Sequence, residues 1–192
     1  MGRHKQFDPD AAVDRAVDVF WRKGYAGTTP QDLVDELGIG KGSLYATFGS
    51  KRALFDRALE RYRERQADAL ARILDQPGPV KPRLRAAMRF IIEANAADPA
   101  RRGCLAVNTA AELAAADPKA TVDVRHQFEG TQGALEAVIA EGQRTGEIRS
   151  DIPATALGAY LFTTGVGLQL LVKTVRDPLD LAQVVEAAIR SL

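Results

Sequence analysis

The chain has 192 residues, 46% of them hydrophobic and 27% charged, which is enough apolar mass for one cored domain or for a small domain joined to a larger one. A single cysteine, Cys104, excludes a framework of internal disulfides and fits a reducing compartment, so the expected location is cytoplasmic. A formal net charge of +1 excludes the bulk basicity of a non-specific nucleic-acid coat, and with no charged-then-apolar leader at residues 1–10 and no apolar run near the roughly 20 residues of a membrane span, no membrane partner is expected.

Apolar residues then recur at helical spacing throughout, with no alternating run bounded by turn residues, so the expected fold class is all-α. The first helix runs from about Pro9 to Gly24 and buries Val13, Ala16, Val17, Phe20 and Trp21 as one stripe. Asp10, Asp14 and Asp18 share another face. Thr29 can cap a second helix whose first residue is Pro30, where a missing N–H is harmless and Asp32 sits well near the positive helix end. Leu33, Val34 and Leu37 carry that helix to Gly38-Ile39-Gly40, a turn that needs residues free of Cβ strain. A third short helix, Lys41 to Phe48, ends at Gly49, and Ser50 caps a long fourth from Lys51 to about Asp75.

Gln76-Pro77-Gly78-Pro79 is the clearest punctuation in the chain. Beyond it, helices are expected at Val80 to Ala97, Gly103 to Ala115, Pro118 to Thr145, Pro153 to Val175 and Pro178 to Arg190. Asp117-Pro118 and Asp177-Pro178 each read as a cap followed by proline at the first helical position. Residues 1–52 form the expected first domain and 53–192 the second.

Two short helices joined by a tight glycine turn, with a third helix following, make a helix-turn-helix, the arrangement that offers one helix to a DNA groove. Up to Arg52 there are eight Lys or Arg against seven acids, so placement rather than total charge carries this reading. Arg3, Lys5, Lys41, Lys51 and Arg52 cluster in the arm and around the proposed reading helix, away from the aspartate face.

Ala16 to Phe20, Gly24-Tyr25, Thr28-Thr29, Leu37-Gly38, Gly42-Ser43-Leu44-Tyr45 with Phe48, and Ser50-Lys51 with Leu54 stand at fixed spacing between Phe7 and Leu59. This stretch resembles the N-terminal DNA-binding domain of the TetR family of transcriptional repressors. The resemblance implies a three-helix helix-turn-helix domain followed by a helical domain that binds an effector and dimerises. It implies a homodimer on a palindromic double-stranded operator, released by an unknown small-molecule effector, with no enzyme activity and no cofactor. Thr28, Tyr45 and Lys51 would then meet phosphates, and Lys41, Ser43, Ala46 and Thr47 would read base edges. Small Gly42 and Ser43 would let the backbone approach closely. The chain departs from a common family pattern at Ala46 and Thr47, where an aromatic residue or histidine often stands. These small side chains can touch a thymine methyl. Arg3 and Lys5 are candidates for minor-groove or phosphate contacts.

In the second domain, Leu157, Leu161, Leu168, Val184, Val185 and Ile189 are the expected dimer contacts, on the last two helices. Phe90, Cys104, Leu105, Asn108, Glu112, Phe128 and Phe162, with Met88, are candidates for lining an effector pocket. Cys104 follows Arg101-Arg102-Gly103 at a helix start, where a thiol pKa can be lowered, so a cysteine-based electrophile or redox sensor stands beside the small-molecule reading. A core cysteine is the other reading of the same residue. The sequence offers no metal site: His4 and His126 are far apart and lack a ligand partner at helical spacing. The Gly38 to Ser43 string lacks the Gly-Lys-Ser/Thr order and preceding strand of a phosphate loop. A small helical enzyme or carrier, and an architectural DNA binder, remain as rivals from other classes.

Overall fold

The computed structural model describes residues 7–174 and 178–192, and among these every regular element is an α-helix. The order is α1 (Pro9–Gly27), α2 (Pro30–Leu37), α3 (Lys41–Phe48), α4 (Lys51–Leu74), α5 (Val80–Ala96), α6 (Leu105–Leu113), α7 (Pro118–Thr145), α8 (Ala154–Leu171) and α9 (Pro178–Ser191). The expected arm residues Arg3 and Lys5, and the cap at Asp177, lie outside the described residues.

Local chemistry sets these boundaries. Asp8 caps α1, accepting from the Asp10 N–H, and Thr29 and Asp32 form a reciprocal capping box at the start of α2. Gly38 closes α2 in the left-handed region at φ 66°, and Ser50 and Asp117 cap α4 and α7 through the N–H groups of Ala53 and Ala120. Several boundaries differ from the sequence expectation; among them, α6 ends at Leu113 rather than Ala115, and α8 at Leu171 rather than Val175. The first helix runs on to Gly27 across a kink at Gly24 (φ 72°, ψ 175°). The sixth starts at Leu105 rather than Gly103, because Gly103 takes φ 72° and Cys104 is extended as the N-cap.

Two apolar clusters organise the packing. The first joins α1 to α4 around Phe20, Leu33, Leu37, Leu44, Phe48 and Phe55, and takes in Cys104, Leu105 and Ala106 from α6. Phe20 and Phe55 meet edge to face at 5.0 Å between ring centroids. The second lies among α5, α7, α8 and α9, around Leu84, Met88, Ile139, Leu161, Leu168 and Ile189. Helix α4 belongs to both, giving Phe55 and Tyr62 to the first and Leu74 to the second.

The aspartate face of α1 packs toward a ladder of arginines rather than standing free. Arg61 reaches Asp10 at 3.0 Å and Asp14 at 2.9 Å, Arg65 reaches Asp14 at 2.8 Å, and Arg102 reaches Asp18 at 3.0 Å.

Helix α8 overturns one expectation. Its 18 residues carry no charge, and by length and mean hydropathy (1.3) it is apolar enough to cross a membrane. The inward side packs on α7 and α5 through Leu157, Leu161, Gly165 and Leu168. The outward side shows Tyr160, Leu170 and Leu171, and Val184 on α9 is exposed as well. Among the expected dimer contacts, Leu157, Leu161, Leu168, Val185 and Ile189 are therefore buried within the protomer, and Val184 alone is exposed. A helix that is apolar on every side gives no periodic cue to which stripe faces its own core.

Candidate nucleic-acid interface and ligand cleft

Helix α3 is held by Leu44 and Phe48, which enter the first cluster at 2% and 5% exposure. Its other side presents Lys41, Gly42, Tyr45, Ala46 and Thr47 to solvent, with Ser43 half-buried at the margin. Tyr45 is 36% exposed, so its ring edge and hydroxyl are available at the surface. Gly40 supplies no side-chain cap, so the first N–H groups of α3 keep their hydrogen-bonding capacity. An ammonium, a phenol, a hydroxyl and exposed backbone donors on one short helix suit phosphate contact and shallow base reading.

The other two expected phosphate contacts are placed differently. Thr28 is 1% exposed, and its hydroxyl donates to the Gly24 carbonyl at 2.5 Å, so it is a structural joint and not a free donor. Lys51 is half-buried: its ammonium donates to the carbonyls of Tyr25 and Thr28, each at 2.9 Å, and lies 4.2 Å from the centroid of the Tyr25 ring. Both residues set the α1–α2 corner that carries α3. Two ion pairs brace the same corner, Arg22 to Glu36 at 2.5 Å and Lys23 to Asp32 at 2.6 Å. Hydrogen bonds from Lys23, then from the Thr29 backbone and hydroxyl, hold the Asp32 carboxyl down at about 2.

Behind this corner a cleft of about 560 Å³ opens between α1, α6 and the end of α8. Of the expected pocket residues it is lined by Leu105, Asn108 and Glu112, together with Trp21, Tyr25, Arg102 and Lys173. Glu112 crosses to α1, where its carboxylate accepts from the N–H groups of Tyr25 at 3.0 Å and Ala26 at 2.6 Å. Trp21 donates its indole N–H to the Gly103 carbonyl at 3.2 Å, and Arg102 stacks on the Trp21 ring at 4.1 Å. Lys173 donates to Asn108 at 2.5 Å. Sequence reasoning missed Trp21 and Lys173 because one sits in a core stripe of α1 and the other beyond the helix it serves.

The remaining expected pocket residues lie elsewhere. Phe128 and Phe162 pack against each other at 5.3 Å; Phe162, with Met88, borders a separate small void of about 50 Å³. Phe90 is half-buried and lines neither space. Cys104 is buried beneath α6. Burial, opposed by a hydrogen bond from Tyr62, pushes its thiol up rather than down. The nearby Arg102 is engaged by Asp18 and Asp98, so the lowered pKa that the sequence suggested does not arise.

A capped helix-turn-helix with an exposed second helix, joined to an all-helical unit that carries a cleft, defines a DNA-binding regulator with a separate sensing region. Two family profiles agree: bacterial regulatory proteins of the tetR family match residues 12–58, and the tetracyclin repressor-like C-terminal domain matches residues 80–188. The chain is 34% identical to the uncharacterized HTH-type transcriptional regulator YezE of Bacillus subtilis, over 92% of each chain. It is 31% identical to the HTH-type transcriptional repressor ComR of Escherichia coli, over 83% of this chain and 77% of that one. Among solved structures, the TetR family regulator CifR, a cysteine mutant complexed with a 26 bp double-strand operator, superposes with a TM-score of 0.85 at 29% identity, covering 99% of both chains. The chain belongs to the TetR family of transcriptional regulators.

Proposed function

We propose that this protein is a cytoplasmic repressor that binds a palindromic operator as a homodimer and lets go when a small molecule occupies the second unit. It is a regulator and not an enzyme. The observation that carries the reading is the outward face of α3, where Lys41, Gly42, Tyr45, Ala46 and Thr47 stand clear of the core that Leu44 and Phe48 enter. The operator bound to the structurally similar CifR mutant supports this use of the face. Residues 1–52 act as the reading unit and 53–192 as the sensing and pairing unit.

The pairing surface is the outward stripe of α8 and α9. Ala156, Tyr160, Thr163, Gly167 and Leu171 recur at three- and four-residue spacing along α8, and Val184 and Ala187 extend the patch on α9. An uncharged, partly apolar stripe of this length needs cover, and a second copy supplies it with twofold symmetry that matches a palindrome. Effector action is linkage: a ligand that prefers the wrong separation of the two α3 helices weakens operator binding by the same factor as operator weakens ligand binding.

Selection of duplexes from a random pool tests the reading. It should return an inverted repeat with half-site centres about one helical turn, or a multiple of it, apart. Recovery of no common sequence, or of single unrepeated sites, would contradict it.

A further inference from the structure

The α1–α6 cleft contains a carboxylate cradle. At Gly24 the backbone turns through φ 72° and ψ 175°, and the next two N–H groups, those of Tyr25 and Ala26, converge on the Glu112 carboxylate. Successive amides converging on one point make an anion-binding concavity. A Cβ at position 24 would stand 2.7 Å from Glu112 Oε2, so the bare glycine is what lets a carboxylate in.

Lys173 also lines the cleft; among the described residues its ammonium donates to the neutral Asn108 alone, and no carboxylate stands within ion-pair distance of it. Gly103 is bare beneath it, since a Cβ there would stand 2.6 Å from Lys173 Cε and 2.9 Å from the Gln169 carbonyl. Glu112 is the one carboxylate among the lining residues; of the lining cations, Arg22 is paired with Glu36 and Arg102 with Asp18 and Asp98, whereas Lys173 meets Asn108. Trp21, Leu105 and Leu170 add apolar lining to the same cleft.

We propose that this cleft binds an amphipathic carboxylate whose head group displaces Glu112 from the Tyr25 and Ala26 amides and faces Lys173, with its apolar body along Trp21 and Leu105. The proposal rests on the reading of the second unit as a sensor and names the ligand class of that sensor. Glu112 is a tethered mimic of the ligand. When it leaves, α6 loses its hold on the end of α1, next to the Thr28 and Tyr25 carbonyls that Lys51 grips. The seat of α2 and α3 is then free to change.

Trp21 is the only tryptophan, so its emission reports on the cleft directly. Sodium hexanoate is titrated against hexanamide at constant ionic strength, with release of a selected operator duplex followed in parallel. Hexanoate should change Trp21 emission saturably and release the duplex over the same concentration range, and hexanamide should do neither. Lys173→Met should weaken hexanoate binding at least tenfold. Glu112→Ala should strengthen it about tenfold, because a tethered competitor acts at millimolar effective concentration. Equal responses to acid and amide in the wild-type protein, which need no variant, overturn the proposal, as does hexanoate affinity unchanged or weakened in Glu112→Ala. Duplex binding that other compounds release while Trp21 ignores hexanoate sinks the carboxylate and leaves the regulator standing. A normal Trp21 titration in a protein that binds no duplex does the reverse.

Discussion

Lys51 lies over the ring of Tyr25 and donates to the Tyr25 carbonyl, so one side chain at the start of α4 closes the end of α1 by a cation–π contact and a hydrogen bond at once. Its second bond, to the Thr28 carbonyl, extends that closure to the residue that precedes the α2 cap. Lys51→Ala should therefore destabilise the helix-turn-helix itself, by about 1.5–3 kcal/mol for charge-assisted bonds of this kind. Urea unfolding followed by circular dichroism checks it. A loss of DNA affinity with stability unchanged would make Lys51 a phosphate contact instead.

Acid should act through Asp32. Its carboxyl titrates at about 2 in the folded chain against an ordinary 3.8, so the unfolded chain binds the proton first as pH falls. The stabilisation is complete above the ordinary value and is lost as pH drops through the folded one. Thermal unfolding from neutral pH down to about 2 should show this decline in the wild-type protein and a shallower one in Asp32→Asn, which lacks the carboxylate at every pH.

Cys104 should behave as a core residue. Cys104→Ser places a hydroxyl in a site that is 6% exposed and bonded to Tyr62, and the expected result is a modest loss of stability with operator binding and effector release intact. Mass spectrometry after mild alkylation of the folded protein should find the thiol unmodified. Rapid modification would restore the electrophile-sensor reading.

The pairing surface is tested by charge. Tyr160→Asp and Val184→Asp sit on exposed positions of α8 and α9, so they spare the protomer core while burying a carboxylate in any twofold interface. Light scattering should report monomers, and operator affinity should fall at least tenfold. Intact dimers from both variants would move the interface elsewhere.

How much of this was legible beforehand follows from how local each cue is. The bounds of α2 and α3 were readable because Thr29, Asp32, Gly38 and Gly49 act on backbone within a few residues of themselves. Leu44 and Phe48 declared the inner face of α3, and so its outer face. The carbonyl bonds of Thr28 and Lys51 were not readable, because a threonine before a cap and a lysine after one look the same whether they point to solvent or fold back on a carbonyl. The direction of α8 was hidden by its uniform composition, and the cleft by its construction from α1, α6 and the residue after α8, which are far apart in the chain. Glu112 and Asn108 were candidates as polar groups among apolar pocket walls; their partners Tyr25, Ala26 and Lys173 needed the fold.

The central claim is that the outward face of α3 carries DNA recognition. Titrating a selected operator duplex with the wild-type protein, Tyr45→Ala and Lys41→Ala at several salt concentrations measures it most directly. Both variants should fold and pair normally and bind at least tenfold more weakly, with the Lys41→Ala salt slope reduced by about 1 if its ammonium meets a phosphate. Unchanged affinity in both would contradict the account.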